Sequence, residues 1–265
     1  ARASVNSSFY TPPEVVRGVY KALEQFGFQK GKILEPAMGI GNFFHGLPES
    51  MQKSQLYGVE IVYIAGLDRT LSSERCLSFV KALRPYLDMV AGLGMDCEEN
   101  GHPCIKHLES YREAKEMGLF LTAHAGEDGG ADNIWDALLK LDVQRIDHGC
   151  RAAEHPELME YLQEHQILCA MCPSGNVYSG AAASFEAHPL LTLLHSGVPV
   201  SISSDDPPYT CSMTEELILD AEKMGLTEAE LIQIIRNGFA YSISGQHLLP
   251  RFDAWVERCQ QEGAQ

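Results

Sequence analysis

From residue 62 onward, short apolar segments of strand length alternate with longer segments whose apolar residues recur at helical spacing. Six segments are typical of strands: "VYIAGLDR", "MVAGLGMDCEE", "LFLTAHAGE", "VQRIDHG", "ILCAMCPSGN" and "PVSISSDDP". Five helical segments lie between them: "SERCLSFVKALRPYL", "CIKHLESYREAKEMG", "NIWDALLKL", "HPELMEYLQEH" and "HPLLTLLHSG". Regular βα alternation predicts a parallel sheet with helical crossovers. Six units make up more than half of a (β/α)₈ barrel, so the predicted fold is α/β, an incomplete TIM-barrel-like array.

Polar residues cluster where these strands end, which is the face on which such barrels place their active sites. His124 and Glu127 end one strand, His148 ends the next, and Asp205 and Asp206 follow the last. Each residue alone is more often structural, as a hydrogen-bonded histidine or a solvated helix entry. Together, imidazoles and a carboxylate on neighbouring strand ends can converge on one divalent ion. A bound zinc ion generates hydroxide at neutral pH, and a nearby carboxyl group can transfer protons.

The motifs "HAGE", "RIDHG", "CPSGN" and "SSDDP", in this order, make residues 62–265 resemble the adenosine/adenine deaminase family of zinc hydrolases. "GLGMDCEENGHP" and "RIDHG" are closer to the adenine deaminase branch. The resemblance implies a (β/α)₈ barrel that hydrolyses a 6-aminopurine, adenine or adenosine, and releases ammonia. It also implies a role for each residue: His124 and Asp205 would be zinc ligands, Glu127 would protonate the purine ring nitrogen, His148 would orient and help deprotonate the water, and Asp206 would bind the purine.

One feature of the family is missing from the chain. The family's first barrel strand carries a His-x-His pair that supplies two more zinc ligands, and none of the ten histidines here forms such a pair. Two of four ligands predict weak zinc binding and impaired activity, since catalytic zinc sites use at least three protein ligands.

Residues 1–61 follow a different pattern. "YTPPEVV", "ILEPAMGIGNFF" and "YGVEI" together resemble the N6-adenine DNA methyltransferases, which bind S-adenosylmethionine. The resemblance implies a cofactor loop and a ribose-binding carboxylate, formed by Glu35, Pro36, Gly39, Gly41 and Glu60. The predicted domains are therefore a methyltransferase-like fragment, 1–61, and a deaminase-like metal-hydrolase barrel without its first strands, 62–265. S-adenosylmethionine is the less favoured cofactor, because the remainder of that fold is not recognisable. The fragment could instead serve as two plain βα units, with strands at about 32–36 and 56–61 in place of the missing barrel strands.

The stretch "SISSDDPPYT" allows two interpretations. Asp206-Pro207-Pro208-Tyr209 has the form of the catalytic D-P-P-Y tetrapeptide of amino-methyltransferases. It stands far beyond the glycine loop and among deaminase motifs, so the barrel interpretation is favoured.

Charge and composition exclude several classes of partner. The net charge of −16 argues against nucleic-acid binding, and almost all of it lies after residue 61. No apolar run reaches the ~20 residues of a membrane span, and no signal peptide is recognisable. The eight cysteines are typical of reduced thiols, which predicts a cytoplasmic protein. Oligomeric state has no signal in the sequence.

Two further residue pairs can be interpreted either as metal ligands or as structural residues. Cys169 and Cys172 are predicted to be buried and inert, because they lie on an apolar strand. His102 and His107 are predicted to lie in a solvated helix entry. Two alternatives to the deaminase remain: a methyltransferase-type cofactor-binding protein, and a non-catalytic chimera.

Overall fold

The computed structural model describes residues 62–206, 209–210 and 213–263. They contain six strands that pair in sequence order as one parallel sheet. The strands are β1 Tyr63–Asp68, β2 Val90–Asp96, β3 Phe120–Ala125, β4 Arg145–His148, β5 Leu168–Met171 and β6 Val200–Ile202. The prediction of a six-stranded parallel array is confirmed.

Nine α-helices lie in the described part of the chain. They are α1 Ser73–Ala82, α2 Leu108–Glu116, α3 Ala131–Leu139, α4 Pro156–Glu164, α5 Pro173–Ser179, α6 Leu190–His195, α7 Met213–Met224, α8 Glu228–Ala240 and α9 Leu249–Gly263. Helix α5 takes up the "PSGN" that the sequence pattern assigned to a strand end, and Pro173 suits its first turn. Helices α7 to α9 follow β6 and add to the five predicted crossover helices.

Local signals explain several helix boundaries. The Ser72 side chain accepts a hydrogen bond from the backbone N–H of Arg75 and caps α1. Thr227 and Glu230 form a reciprocal capping box at the start of α8. None of the helices described combines the length and apolar character that a bilayer span requires.

The core lies between the sheet and the helices. Strand residues such as Leu93, Ala123 and Ile146 are fully buried, as are the helix residues Ile134 and Leu158 that pack towards them. Parallel strands covered by helices are apolar over consecutive positions. Polar side chains therefore concentrate at the strand ends.

Candidate active site at the strand ends

Two histidines on neighbouring strands meet at the C-terminal edge of the sheet. His124 lies one residue before the end of β3, and His148 ends β4, paired with Ala125. Their rings contact edge to face, with centroids 4.5 Å apart. His148 Nε2 also lies 3.3 Å from Glu127 Oε2. Three of the predicted site residues are thus within reach of one ligand.

Two predicted site residues have left-handed backbone conformations. His148 has a φ of 67° and Asp205 a φ of 57°. Non-glycine residues adopt this region at an energetic cost, and such strain concentrates at functional sites. Sequence periodicity does not predict such a backbone conformation.

Asp205 approaches the same edge from the loop after β6. Ligand atoms of His148, Cys172 and Asp205 all lie within 4.8 Å of one another. A Cβ at Gly175 would lie 2.5 Å from Asp205 Oδ2, so only glycine lets the carboxylate come this close to α5. The glycine of "CPSGN" therefore has a steric role at the site.

Asp206 lies beside Asp205 but is exposed. Its backbone carbonyl accepts hydrogen bonds from the N–H groups of Tyr209 and Thr210. Its predicted contact with a purine stays a prediction. Pro207 and Pro208 lie outside the described residues.

The loop that carries Glu127 is anchored by Glu99, a residue that the sequence pattern did not single out. The buried carboxylate of Glu99 accepts hydrogen bonds from four consecutive backbone N–H groups, those of residues 126–129, at 2.8–3.1 Å. Charge-assisted bonds of this kind are stronger than neutral ones. The only signal in the sequence was the position of Glu99 within "GLGMDCEENGHP".

Asn176 is a second such residue. It is fully buried, and its Nδ2 lies 3.1 Å from Glu127 Oε1 and 3.0 Å from His148 Nδ1. Ser179 Oγ donates a further hydrogen bond to Glu127 Oε1 at 3.2 Å. The motif "CPSGN" contained Asn176, but no pattern in the sequence showed that it would meet two other motifs.

Arg69, the residue that follows β1, supports the same edge. Its buried guanidinium donates hydrogen bonds to the carbonyl oxygens of His102 and His124, both at 2.9 Å. His107 is buried and its Nε2 lies 3.0 Å from the Arg69 carbonyl oxygen. The prediction that His107 is solvated is therefore wrong, because its ring packs against the backbone of Arg69, the residue after β1.

Burial sets the protonation states of the site. Burial, reinforced by His148, lowers the pKa of His124 to about 3, so its imidazole is neutral at physiological pH. Neutral imidazole is the form that binds metal ions. Burial also raises the pKa of the Glu127 carboxyl, and the charge of Asp205 adds to that rise. A raised pKa favours the protonated carboxyl that can act as an acid.

Two three-residue donor groups of the described residues match zinc chemistry. Ligand atoms of His124, Glu127 and His148 lie within 4.8 Å of one another, and the group with Cys172 and Asp205 shares His148. Imidazole nitrogen, carboxylate oxygen and thiolate sulfur are the ligands that zinc takes in proteins. His124, Glu127, Cys172 and Asp205 therefore offer donor types that fit a zinc ion, and His148 stands among them with its two ring nitrogens facing Asn176 and Glu127.

Both cysteines of the pair are buried, as predicted. Cys169 is fully buried and Cys172 is 6% exposed, and burial raises the pKa of both thiols. The predicted S-adenosylmethionine residues, Glu35, Pro36, Gly39, Gly41 and Glu60, lie outside the described residues, and so do the strands expected at 32–36 and 56–61.

Comparison with known proteins defines the class. Residues 37–247 match the adenosine deaminase family. An adenine deaminase from Hahella chejuensis is 34% identical over 224 residues, which cover 82% of this chain and 67% of that protein. An adenine deaminase from Stutzerimonas stutzeri is 38% identical over 184 residues, 69% of this chain and 58% of that protein. The chain belongs to the adenosine deaminase family.

Solved structures agree with the fold. An adenine deaminase from Arthrobacter aurescens superposes with a TM-score of 0.75 at 27% identity, covering 92% of this chain and 79% of that one. An amidohydrolase from Burkhoderia ambifaria, with bound Zn, superposes with a TM-score of 0.73 at 23% identity, covering 94% of this chain and 76% of that one. The family match begins at residue 37, inside the segment predicted to be methyltransferase-like. That prediction stays untested by the described residues.

Proposed function

We propose that the strand-end site catalyses the hydrolytic deamination of a 6-aminopurine. The observation that carries the proposal is the half-buried Glu127 carboxyl, held beside His148 and next to candidate metal ligands. The substrate we favour is adenine, since the two relatives compared in sequence are named adenine deaminases. The matched residues make up 58–67% of those relatives, so the complete activity is a proposal for this chain.

The reaction adds water and releases ammonia. A bond forms between the water oxygen and the purine carbon that bears the amino group, and the bond from that carbon to the amino nitrogen breaks. The amino group leaves as ammonia with a proton from the water. Attack on an aromatic carbon is easier when the neighbouring ring nitrogen gains a proton; in this proposal the Glu127 carboxyl gives that proton and is reprotonated by the second proton of the water.

We propose that His124 and Asp205 hold a zinc ion. Zinc, when bound, lowers the pKa of a water molecule to about 7. In this proposal His148, a member of both donor groups, orients the attacking water, and Asp206, which is exposed, contacts the purine. The ligand of the site is thus a small purine.

The experiment measures ammonia release from adenine and from adenosine by three full-length proteins with added zinc. They are the wild type, Glu127→Gln, and Glu164→Gln as a matched control at an exposed position on α4. Glutamine cannot give up a proton, so Glu127→Gln should lower the rate by about 10²–10⁴-fold. Glu164→Gln should match the wild type.

Equal rates in the wild type and Glu127→Gln would exclude Glu127 as the acid. If no protein releases ammonia while the circular dichroism spectra show an intact fold, the non-catalytic chimera is the better interpretation.

A further inference from the structure

Asn176 links the two residues that would handle protons in the proposed reaction. Both of its side-chain N–H groups are used, one towards Glu127 Oε1 and one towards His148 Nδ1. Its carbonyl oxygen Oδ1 accepts from the Cys172 backbone N–H at 3.4 Å and lies 3.1 Å from His188 Nε2. An asparagine side chain can donate twice and accept twice, so its bonding capacity is filled.

The orientation of the Asn176 amide follows from its neighbours. The backbone N–H of Cys172 can only donate, so the group facing it must be the amide oxygen. The opposite orientation would also direct that oxygen at the carboxyl of Glu127. A flipped amide therefore loses bonds on both sides, and the amide nitrogen must face Glu127 and His148.

His188 adds a second constraint. It is 5% exposed, and its Nδ1 accepts a hydrogen bond from the backbone N–H of Leu190 at 3.2 Å. An accepting Nδ1 carries no hydrogen, so the hydrogen of the neutral ring lies on Nε2 and points to Asn176 Oδ1. Two fixed backbone N–H groups, those of Cys172 and Leu190, thus orient the amide.

We propose that Asn176, oriented by His188, is a positioning residue that keeps the ring hydrogen of neutral His148 on Nε2 and directs the acidic proton of Glu127 to Oε2. This inference rests on the proposed function. His148 Nδ1 accepts from Asn176, so the hydrogen of a neutral ring must lie on Nε2, 3.3 Å from Glu127 Oε2.

The same contacts select one oxygen of Glu127. Oε1 accepts a hydrogen bond from Asn176 Nδ2, and the Ser179 hydroxyl lies on the same side, with its one hydrogen shared between Oε1 at 3.2 Å and the Asn176 backbone carbonyl oxygen at 3.3 Å. A proton on the carboxyl therefore resides on Oε2, on the side of His148. Protonated Oε2 can accept a hydrogen bond from the Nε2–H of His148 and donate its own proton to a substrate nitrogen. His148 correspondingly acts through an N–H donor.

Nuclear magnetic resonance shows directly which ring nitrogen of a histidine carries the hydrogen. We would label the full chain with ¹⁵N-histidine and record long-range ¹H–¹⁵N correlations at pH 7.5, with and without zinc. Loss of one set of signals in His148→Asn and in His188→Asn assigns the two rings. The wild type should show both His148 and His188 with hydrogen on Nε2 alone.

The variant is Asn176→Asp, which keeps the size of the side chain but removes its donors. A carboxylate at position 176 accepts, so the hydrogen of His148 should move to Nδ1. The control Asn100→Asp makes the same chemical change at an exposed position and should leave the spectrum unchanged. Where ammonia release is measurable, Asn176→Asp should lower kcat by at least tenfold with a smaller change in KM.

Hydrogen on Nδ1 of His148 in the wild type, or a doubly protonated ring, would overturn the proposal even if Asn176→Asp fails to fold. An unchanged His148 ring in a folded Asn176→Asp protein would also overturn it. Because the spectra need no turnover, failure of the deaminase proposal shows separately, as absent ammonia release with the expected ring signals.

Discussion

A buried carboxyl pair in α7 gives the most quantitative test of the structure. Glu216 and Asp220, four residues apart, are both fully buried. The backbone N–H of Ser174 donates to Glu216 Oε1 at 2.7 Å. Both oxygens of Asp220 lack a hydrogen-bond partner among the described residues. Burial, reinforced by the charge of Glu216, raises the pKa of Asp220 from 3.8 to about 8.

The raised pKa determines how stability depends on pH. Below the unfolded pKa of ~3.9 the carboxyl is protonated in both states and carries no penalty. Between that value and about 8, the unfolded chain releases the proton while the folded protein keeps it, so stability falls as pH rises. One proton corresponds to ~1.4 kcal/mol per pH unit, so the loss from pH 5 to pH 7 is at most about 3 kcal/mol.

Asp220→Asn removes the ionisation and retains the shape of the side chain. The melting temperature of Asp220→Asn relative to wild type should therefore increase with pH. A change of 1 kcal/mol shifts the melting temperature of a domain this size by roughly 2–4 °C, so the relative gain between pH 5 and pH 7 should approach 5–10 °C. Differential scanning calorimetry at half-unit pH steps, at two scan rates, measures it.

The control is Asp88→Asn, the same change at an exposed residue. Its melting temperature should differ from wild type by a small, constant amount. A pH-independent difference for Asp220→Asn would refute the reasoning, because it would mean that Asp220 ionises equally in the folded and unfolded states.

Three further predictions concern the site. Zinc, measured by elemental analysis, should be lost on dialysis against a mild chelator, because the chain has no His-x-His pair; stoichiometric retention would point to replacement ligands. Glu99→Ala should destabilise the protein by about 3 kcal/mol or more in urea titrations, since it leaves four loop N–H groups without their acceptor, and a loss below 1 kcal/mol would argue against the anchor. Gly126→Ala should also destabilise the protein, because the φ of Gly126 is +70° and the new Cβ would lie 2.4 Å from Ile134 Cδ1. The control is Gly130→Ala, where nothing lies within 4 Å of the new Cβ. It should have a much smaller effect in the same titration.

The sequence by itself determined the βα order, the parallel sheet and the candidates at the strand ends. These follow from local periodicity and from the rule that parallel strands end at the same edge, so His124, His148 and Asp205 could be placed before any coordinates were known. The family motifs added the proposed chemistry.

Only the tertiary structure decided which groups support that chemistry. Glu99 binds backbone groups that lie 27–30 residues away in the sequence, and Asn176 contacts His148 and Glu127, which lie 28 and 49 residues away. Which groups meet depends on strand register and loop conformation. The left-handed backbone of His148 and the burial of His107 have the same origin, and so does the Asp220 carboxyl, which has no hydrogen-bond partner in the described part of the chain. Local patterns encode which elements form, whereas burial and hydrogen-bond partners are properties of segments that meet only after folding.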